Sequence, residues 1–362
     1  MHDQINSAKS TDLMACAPIF IVGCPRSGTH LLRNMLRSHP NLSFTGESHF
    51  IPKFYKAFGD PKSQKEAKKL ASVILNLQWL QPWHLSLDPA SFAHDRSYAQ
   101  VVRRIFEAWA QKESKPRWGD KTPHYVMEMP VLLELFPGCK FIHIIRDGRD
   151  VALSWLARNF GPTNIYTAAN DWKHFVDTGR RVGERLPKET YLEIRYELLL
   201  ARPQEVMENI CSFINEPFCD KLLNPNPLIL DYPERKPIFG QFTPSYNYAL
   251  KTTIVNKNAS KWKSQMSCSD RVVFESVAGD LLKSLGYEAT SKTRSISKLE
   301  QMFWQVHHAL LWTLNSFNSK DRIKWIKTDW TLRWADCFDR RMGVGLQQHI
   351  KTIYKMFKFF VK

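Results

Sequence analysis

The sequence predicts an α/β fold in which a mostly parallel central sheet lies between two layers of helices. Three observations carry that expectation. The apolar, β-branched run Pro18–Val22 reads as a buried strand, breaks at Gly23 and Pro25, and resumes as Leu31, Leu32, Met35 and Leu36 at helical spacing. Two further core-type strands, Cys139–Ile145 and Thr190–Ile194, are each followed by a helical segment, the order that builds a parallel sheet. All three strands carry charged residues at their C-terminal ends, where ligands sit in such sheets.

The elements follow in order. Residues 1–15 are polar and are expected to fray; one domain is expected over 16–290. The first helix should stop near Ser38, because His39-Pro40-Asn41 cannot continue it. Leu42–Glu47 is a short extended piece ending in a carboxylate. Lys65–Leu80 and Tyr98–Gln111 have helical periodicity, and Arg117–Pro123 reads as a strand end and turn. A helix through Val151, Leu153, Trp155 and Leu156 follows Arg146–Asp150. Further helices are expected over Pro203–Ile214 and Arg271–Leu285. The Pro- and aromatic-rich stretch Asn224–Tyr246 reads as a long binding loop, with Tyr232, Phe239 and Tyr246 as pocket or packing residues. Residues 291–362 form a basic, Trp-rich helical C-terminal extension.

The loop after the first strand carries the chemistry. Its N–H groups and the following helix N-terminus form an anion cradle. Gly23 and Gly28 have the spacing of a phosphate-binding loop, which makes the fold P-loop-like. A nucleoside-triphosphatase loop would continue with Lys and then Ser or Thr, whereas Thr29 and His30 stand here. Arg26 supplies the fixed charge instead, as a planar fork of donors suited to phosphate oxygens. Pro25, Arg26, Ser27, Gly28, Thr29 and His30 are therefore the first anion-site residues. Arg146 and Ser154, at a strand end and two turns into the next helix, are placed to hold a second phosphate. Either arginine of the run, Arg146 or Arg149, could alone form a surface ion pair with Asp147 or Asp150.

Composition narrows the partners. The chain has 362 residues, 43% of them apolar, and a net charge of +16, which favours anionic partners. Its apolar runs are shorter than the roughly 20 residues of a membrane span, and residues 1–17 lack the apolar core of a signal peptide. The seven cysteines show no zinc spacing and do not form an even framework, so a cytoplasmic location is expected, peripheral membrane association being left open. From residue 295 onward 12 Lys or Arg face 5 Asp or Glu among several tryptophans. Helices of that texture either pack on the main domain or lie on a membrane surface.

Pro25-Arg26-Ser27-Gly28-Thr29 together with Arg146 and Ser154 resembles the two phosphate sites of the sulfotransferases that use 3′-phosphoadenosine 5′-phosphosulfate (PAPS). Within that family the resemblance is closest to tyrosylprotein sulfotransferases and related bacterial enzymes, and it covers roughly residues 16–290. His39-Pro40-Asn41 with Gly46-Glu47 is similar to the segment bearing the family's catalytic glutamate, and Asp120-Lys121-Thr122-Pro123 to that bearing its lysine. Arg195-Tyr196-Glu197 resembles the segment with a nucleotide-contacting tyrosine, and Asn258-Ala259-Ser260-Lys261-Trp262 that with a catalytic serine. The chain departs from tyrosylprotein sulfotransferases in lacking cysteines beside Glu47 and Asp120.

The resemblance implies metal-free, in-line transfer of a sulfuryl group from PAPS to a hydroxyl or amine, with 3′,5′-adenosine bisphosphate (PAP) as product. Glu47 would be the base. Lys121 and Ser260 would stabilise the bridging and leaving oxygens, and Arg26 would orient the phosphosulfate. Arg146 and Ser154 would fix the 3′-phosphate with Arg158 and Tyr196. His124 is the rival base, as cytosolic members use a histidine, and His30 and His49 are weaker candidates. The acceptor stays open among carbohydrate, lipid, peptide and small molecule. Nucleic acid is not expected, and a homodimer is left open. The competing readings are a P-loop-type kinase using ATP and a non-catalytic basic protein that binds membranes or polyanions.

Overall fold

Side-chain alternation along the first strand sets the architecture. In β1 (Ile19–Gly23), Phe20 and Val22 face one core while Ile19 and Ile21 face the other. Every residue of the strand is buried, as expected for the centre of a sheet covered on both sides. The structure is a computed structural model that describes residues 17–77, 80–158, 161–225, 259–289 and 293–317. The expected loop residues Tyr232, Phe239 and Tyr246, and Asn258, lie outside them.

The chain leaves β1 into α1 (Thr29–Arg37) and β2 (Leu42–Phe44), then into α2 (Ile51–Phe58), α3 (Gln64–Leu75) and α4 (Tyr98–Lys112). The last opens on a reciprocal cap between Ser97 and Gln100. It returns through β3 (Arg117–Lys121), a 3₁₀ turn at Pro123–Met127 and α5 (Met129–Leu135) to β4 (Lys140–Ile145). Helices α6 (Gly148–Leu156) and α7 (Ile165–Gly183) lead to β5 (Tyr191–Arg195), α8 (Tyr196–Ala201) and α9 (Pro203–Ile214). After the undescribed stretch come α10 (Trp262–Gln265), α11 (Cys268–Ser284) and α12 (Lys298–Phe317).

The sheet order is β2-β3-β1-β4-β5, and all four pairings are parallel. This is the three-layer α/β arrangement the sequence predicts, with helices on both faces. The central strand β1 has β3 on one side and β4 on the other. Its connections first run to one edge of the sheet and then cross to the other, so a crevice opens at the C-terminal ends of these three strands. The residues delivered there are the loop after Gly23, Lys121 and Arg146.

Two expectations change. Arg117–Lys121 is strand along its whole length, not a strand end and turn. Its polar sequence is tolerated because Arg117 bonds the carbonyls of Ala17 (2.7 Å) and Ile214 (2.6 Å) and the Glu216 carboxylate (3.2 Å). Arg149 is no surface residue but is buried in an ionic cluster. The helix bearing Ser154 ends at Leu156, short of Arg158, whose amide bonds Trp155 O at 2.8 Å in the closing turn.

Asp120, fully buried on β3, has a carboxyl that burial pushes up to about 6, against the opposing pull of Thr122, Ser48, His49 and Lys121. A carboxyl with a folded pKa above its unfolded one weakens the fold as it ionises. Its cost is absent below pH 3.8, develops as pH rises, and is complete above about pH 6. The stability advantage of Asp120→Asn over the parent is therefore expected to grow as pH rises through that window, to on the order of 2–3 kcal/mol at its upper end. Urea midpoints at about pH 5 and about pH 8 test this, and a variant that keeps the parent's pH dependence refutes it.

Candidate active site

The loop between β1 and α1 is held in a left-handed backbone. Arg26 has φ 77° and Gly28 φ 96°, and Ser27 N closes a turn on Cys24 O at 3.2 Å. A Cβ on Gly28 would lie 2.2 Å from the Tyr196 ring, so only glycine fits both the space and the dihedral. Gly28 caps α1 without a side-chain bond, leaving the first-turn N–H groups of that helix for an anion. The buried Ser27 hydroxyl has no hydrogen-bond partner among the described residues. A phosphate oxygen is a group that would satisfy it. The loop therefore fits a phosphate-bearing ligand.

The second predicted anion site adjoins the first. Arg26 Nε donates to Ser154 Oγ at 3.0 Å, across 128 residues of sequence. Arg146 Nη1 donates to Arg26 O at 3.2 Å, and the guanidinium carbon lies 4.7 Å from the Tyr196 ring centroid. The same guanidinium pairs with Asp150 at 3.4 Å, and Trp172 Nε1 fixes the Arg146 carbonyl at 3.0 Å. Arg26, Arg146, Ser154, Tyr196 and the loop thus form one contiguous unit. Arg158 lies just past the end of α6, half-buried.

Behind this unit is a buried clasp. Asp147 caps α6 through its bond to Arg149 N (2.9 Å) and also accepts the Arg149 guanidinium at 3.0 and 2.8 Å. Arg149 continues to Glu275 on α11 at 2.6 Å and stacks 3.4 Å from the Trp262 ring. Asp150 accepts Trp262 N at 2.9 Å. Glu197 takes Asp147 N and the Tyr287 hydroxyl, each at 2.9 Å. These bonds hold the segment of Ser260 against the first turn of α6. Ser260 is exposed there, at φ 59°.

The remaining candidates meet at the end of β3. Lys121 Nζ lies 2.5 Å from Glu47 Oε1 and 3.2 Å from His30 Nε2. His49 Nε2 lies 2.9 Å from the other Glu47 oxygen. The Lys121 side chain is fully buried, whereas Glu47 keeps 30% of its side chain exposed. Burial raises the Glu47 pKa, but Lys121 and the two histidines outweigh it and hold the carboxyl well below the usual range. Burial, then Lys121, push His30 well below an ordinary histidine, so the ring is neutral. An ammonium group only donates, so His30 Nε2 accepts and Nδ1 carries the proton. Burial also lowers the Lys121 pKa, with Glu47 opposing and Arg33 assisting. His124 stands further out, its ring 6.1 Å from His49 and 5.4 Å from Phe175.

Arg33 and the Asp150–Trp262 bond are missing from the sequence reading. Arg33 lies one turn beyond His30 on α1, a spacing that could have signalled it. Asp150 and Trp262 are 112 residues apart and gave no local signal. Five cysteines among the described residues, Cys24, Cys139, Cys211, Cys219 and Cys268, are free thiols. Burial raises the Cys24 thiol well above its ordinary pKa, so its place in the loop is one of packing.

A parallel sheet with a phosphate cradle after its central strand and a second arginine site one strand over defines a nucleotide-phosphate-binding α/β protein. A family model described as the sulfotransferase family matches residues 18–220, and the chain belongs to that family. A protein-tyrosine sulfotransferase of Drosophila melanogaster is 28% identical over 278 residues, 75% of this chain and 51% of its own length. A putative protein-tyrosine sulfotransferase of Caenorhabditis briggsae is 25% identical over 75% of this chain and 90% of its own. The chain spans about half the length of the Drosophila relative. Among solved structures, the sulfotransferase domain from the curacin biosynthetic pathway aligns with a TM-score of 0.51 and 26% identity, over 76% of this chain and 99% of that one. The sulfotransferase domain of the Synechococcus PCC 7002 olefin synthase shares the fold, with a TM-score of 0.51 and 23% identity over 75% of this chain and 94% of its own.

Gly28→Ala is expected to abolish ligand binding at the loop and to destabilise the fold by roughly 1–3 kcal/mol, since Tyr196 must move and the left-handed backbone is strained. Thermal unfolding and PAP titration check it. A variant that melts and binds like the parent would show that the loop tolerates a side chain.

Proposed function

We propose that this chain is a PAPS-dependent sulfotransferase that moves a sulfuryl group to a hydroxyl or amine acceptor without a metal. The observation that carries the reading is the adjacency of two anion sites, the Gly23–Gly28 loop with Arg26 and the Arg146–Ser154 site, bonded to each other at 3.0 and 3.2 Å. A donor with phosphates on both the 5′ and 3′ positions suits such a pair. A nucleoside triphosphate, with one phosphate chain, does not need the second site.

Within this reading each side chain has one task. Arg26, Ser27 and the first-turn amides of α1 hold the 5′-phosphosulfate, and Thr29 and His30 line the same turn. Arg146 and Ser154 hold the 3′-phosphate, with Tyr196 beneath Arg146 and Arg158 alongside. Glu47 takes the proton of the acceptor, whose oxygen or nitrogen forms the new bond to sulfur. The bond from sulfur to the bridging oxygen breaks, and its electron pair remains on the phosphate of PAP. Lys121 and Arg26 stabilise that growing charge, assisted by Ser260. The Lys121–Glu47 ion pair has a direct consequence. When Lys121 turns to the bridging oxygen, Glu47 loses its nearest cation and becomes more basic, as proton abstraction requires. His124, whose ring lies 6.1 Å from that of His49, is the rival base and its substitution is the comparison for Glu47.

The donor phosphates call for positive charge, which Arg26, Lys121 and Arg146 supply. The names of the curated relatives make a tyrosine-bearing peptide the first acceptor to assay.

Two outcomes are expected. Arg146→Ala should weaken PAP by about 10- to 150-fold, the range of a charge-assisted bond, while 5′-AMP binding changes little. Calorimetry with PAP, 5′-AMP and ATP, with and without Mg²⁺, measures this. Equal losses for PAP and 5′-AMP would remove the 3′-phosphate assignment, and Mg²⁺-dependent preference for ATP would favour a kinase. Glu47→Ala should lower turnover by about 10²- to 10⁴-fold with PAP affinity largely kept, whereas His124→Ala should retain most activity. Single-turnover transfer of radiolabelled sulfate from PAPS checks both, and a fast Glu47 variant beside a dead His124 variant would exchange their roles.

A further inference from the structure

Helix α12 presents two different faces. One face packs on the start of α7, where Asn164 Nδ2 donates to Trp304 O at 2.8 Å and Thr163 Oγ1 lies 2.9 Å from His308 Nδ1. Trp304 packs against the main core from the same side. The other face carries Leu299, Met302, Phe303, Val306, Leu310 and Leu314, all between 52% and 75% exposed. Their spacing of three and four residues draws one stripe along the helix, roughly 120° wide and about 20 Å long. Such a continuous row of large apolar side chains marks an interaction surface.

The charge of the chain identifies the partner. Residues 318–362, which follow the helix directly, contain 11 Lys or Arg and 4 Asp or Glu, and the whole chain carries +16. A second copy would carry the same +16 and be repelled. An anionic lipid surface would attract them and accept the apolar stripe between its headgroups. No described helix is long and apolar enough to cross a membrane, so the fitting mode is one in which α12 lies in the plane of the interface.

We infer that the exposed face of α12 docks the protein on anionic membranes. This inference is independent of the reaction proposed above. It is tested with the full chain and vesicles of phosphatidylcholine, alone or mixed with roughly one quarter phosphatidylglycerol, in about 0.1 M salt. The protein should float with the anionic vesicles and be largely left behind by the neutral ones. The triple variant Phe303→Ser, Val306→Ser, Leu310→Ser should lose at least about tenfold in bound fraction, with melting temperature and PAP binding unchanged. Absence of flotation, or flotation that the triple variant retains, overturns the inference. A dimer that dissociates in the triple variant would assign the face to a second copy. A lowered melting temperature would assign it to another part of this chain. Either result replaces the membrane.

Discussion

Bringing several cations to one sheet edge is the constraint that organises this structure. Arg26, Lys121 and Arg146 follow three adjacent strands, and Arg33 stands behind them on α1. Undiluted, such charges would repel at close range. Each is instead tied to an acceptor: Arg26 to Ser154, Lys121 to Glu47, Arg146 to Asp150. The helices behind are fixed separately, by the fully paired Arg149 with Asp147 and Glu275, so the site can exchange partners without loosening its support.

Parallel topology does the rest of the positioning. Because β1 lies between β3 and β4, Gly28 reaches one crevice with Lys121, 93 residues further along the chain, and with Arg146, 118 residues further along. The same arrangement makes His30 neutral. Burial of the ring first, and then Lys121, Arg33 and Arg26 beside it, oppose a second protonation more than Glu47 favours one. A neutral imidazole there can accept from the lysine and steady it without adding charge.

Much of this was legible in the sequence. The strand, glycine loop and helix at residues 18–36 have a local periodicity and a local backbone demand, and they stand where they were expected. Arg146 and Ser154 were readable because one follows a core-type strand directly and the other lies two turns into the next helix, so both face the same sheet edge. Arg117–Lys121 was misread because polar residues in a strand are unfavourable unless each finds a buried partner, and the partners of Arg117 lie some 100 residues away. Arg149 looked like a surface residue for the same reason: Glu275 and Trp262, which enclose it, come from the far end of the domain. His49 gained weight only when the fold placed its ring on the free oxygen of Glu47.

The left-handed residues Arg26 and Gly28 have a kinetic consequence. Their dihedrals are set in the unliganded chain, and the Tyr196 ring packs directly beneath Gly28. The conformational entropy of the loop is therefore lost during folding, before any ligand arrives. Association need not wait for the loop to find its shape, and the encounter with a polyanionic nucleotide can proceed at a rate set by diffusion and electrostatic attraction.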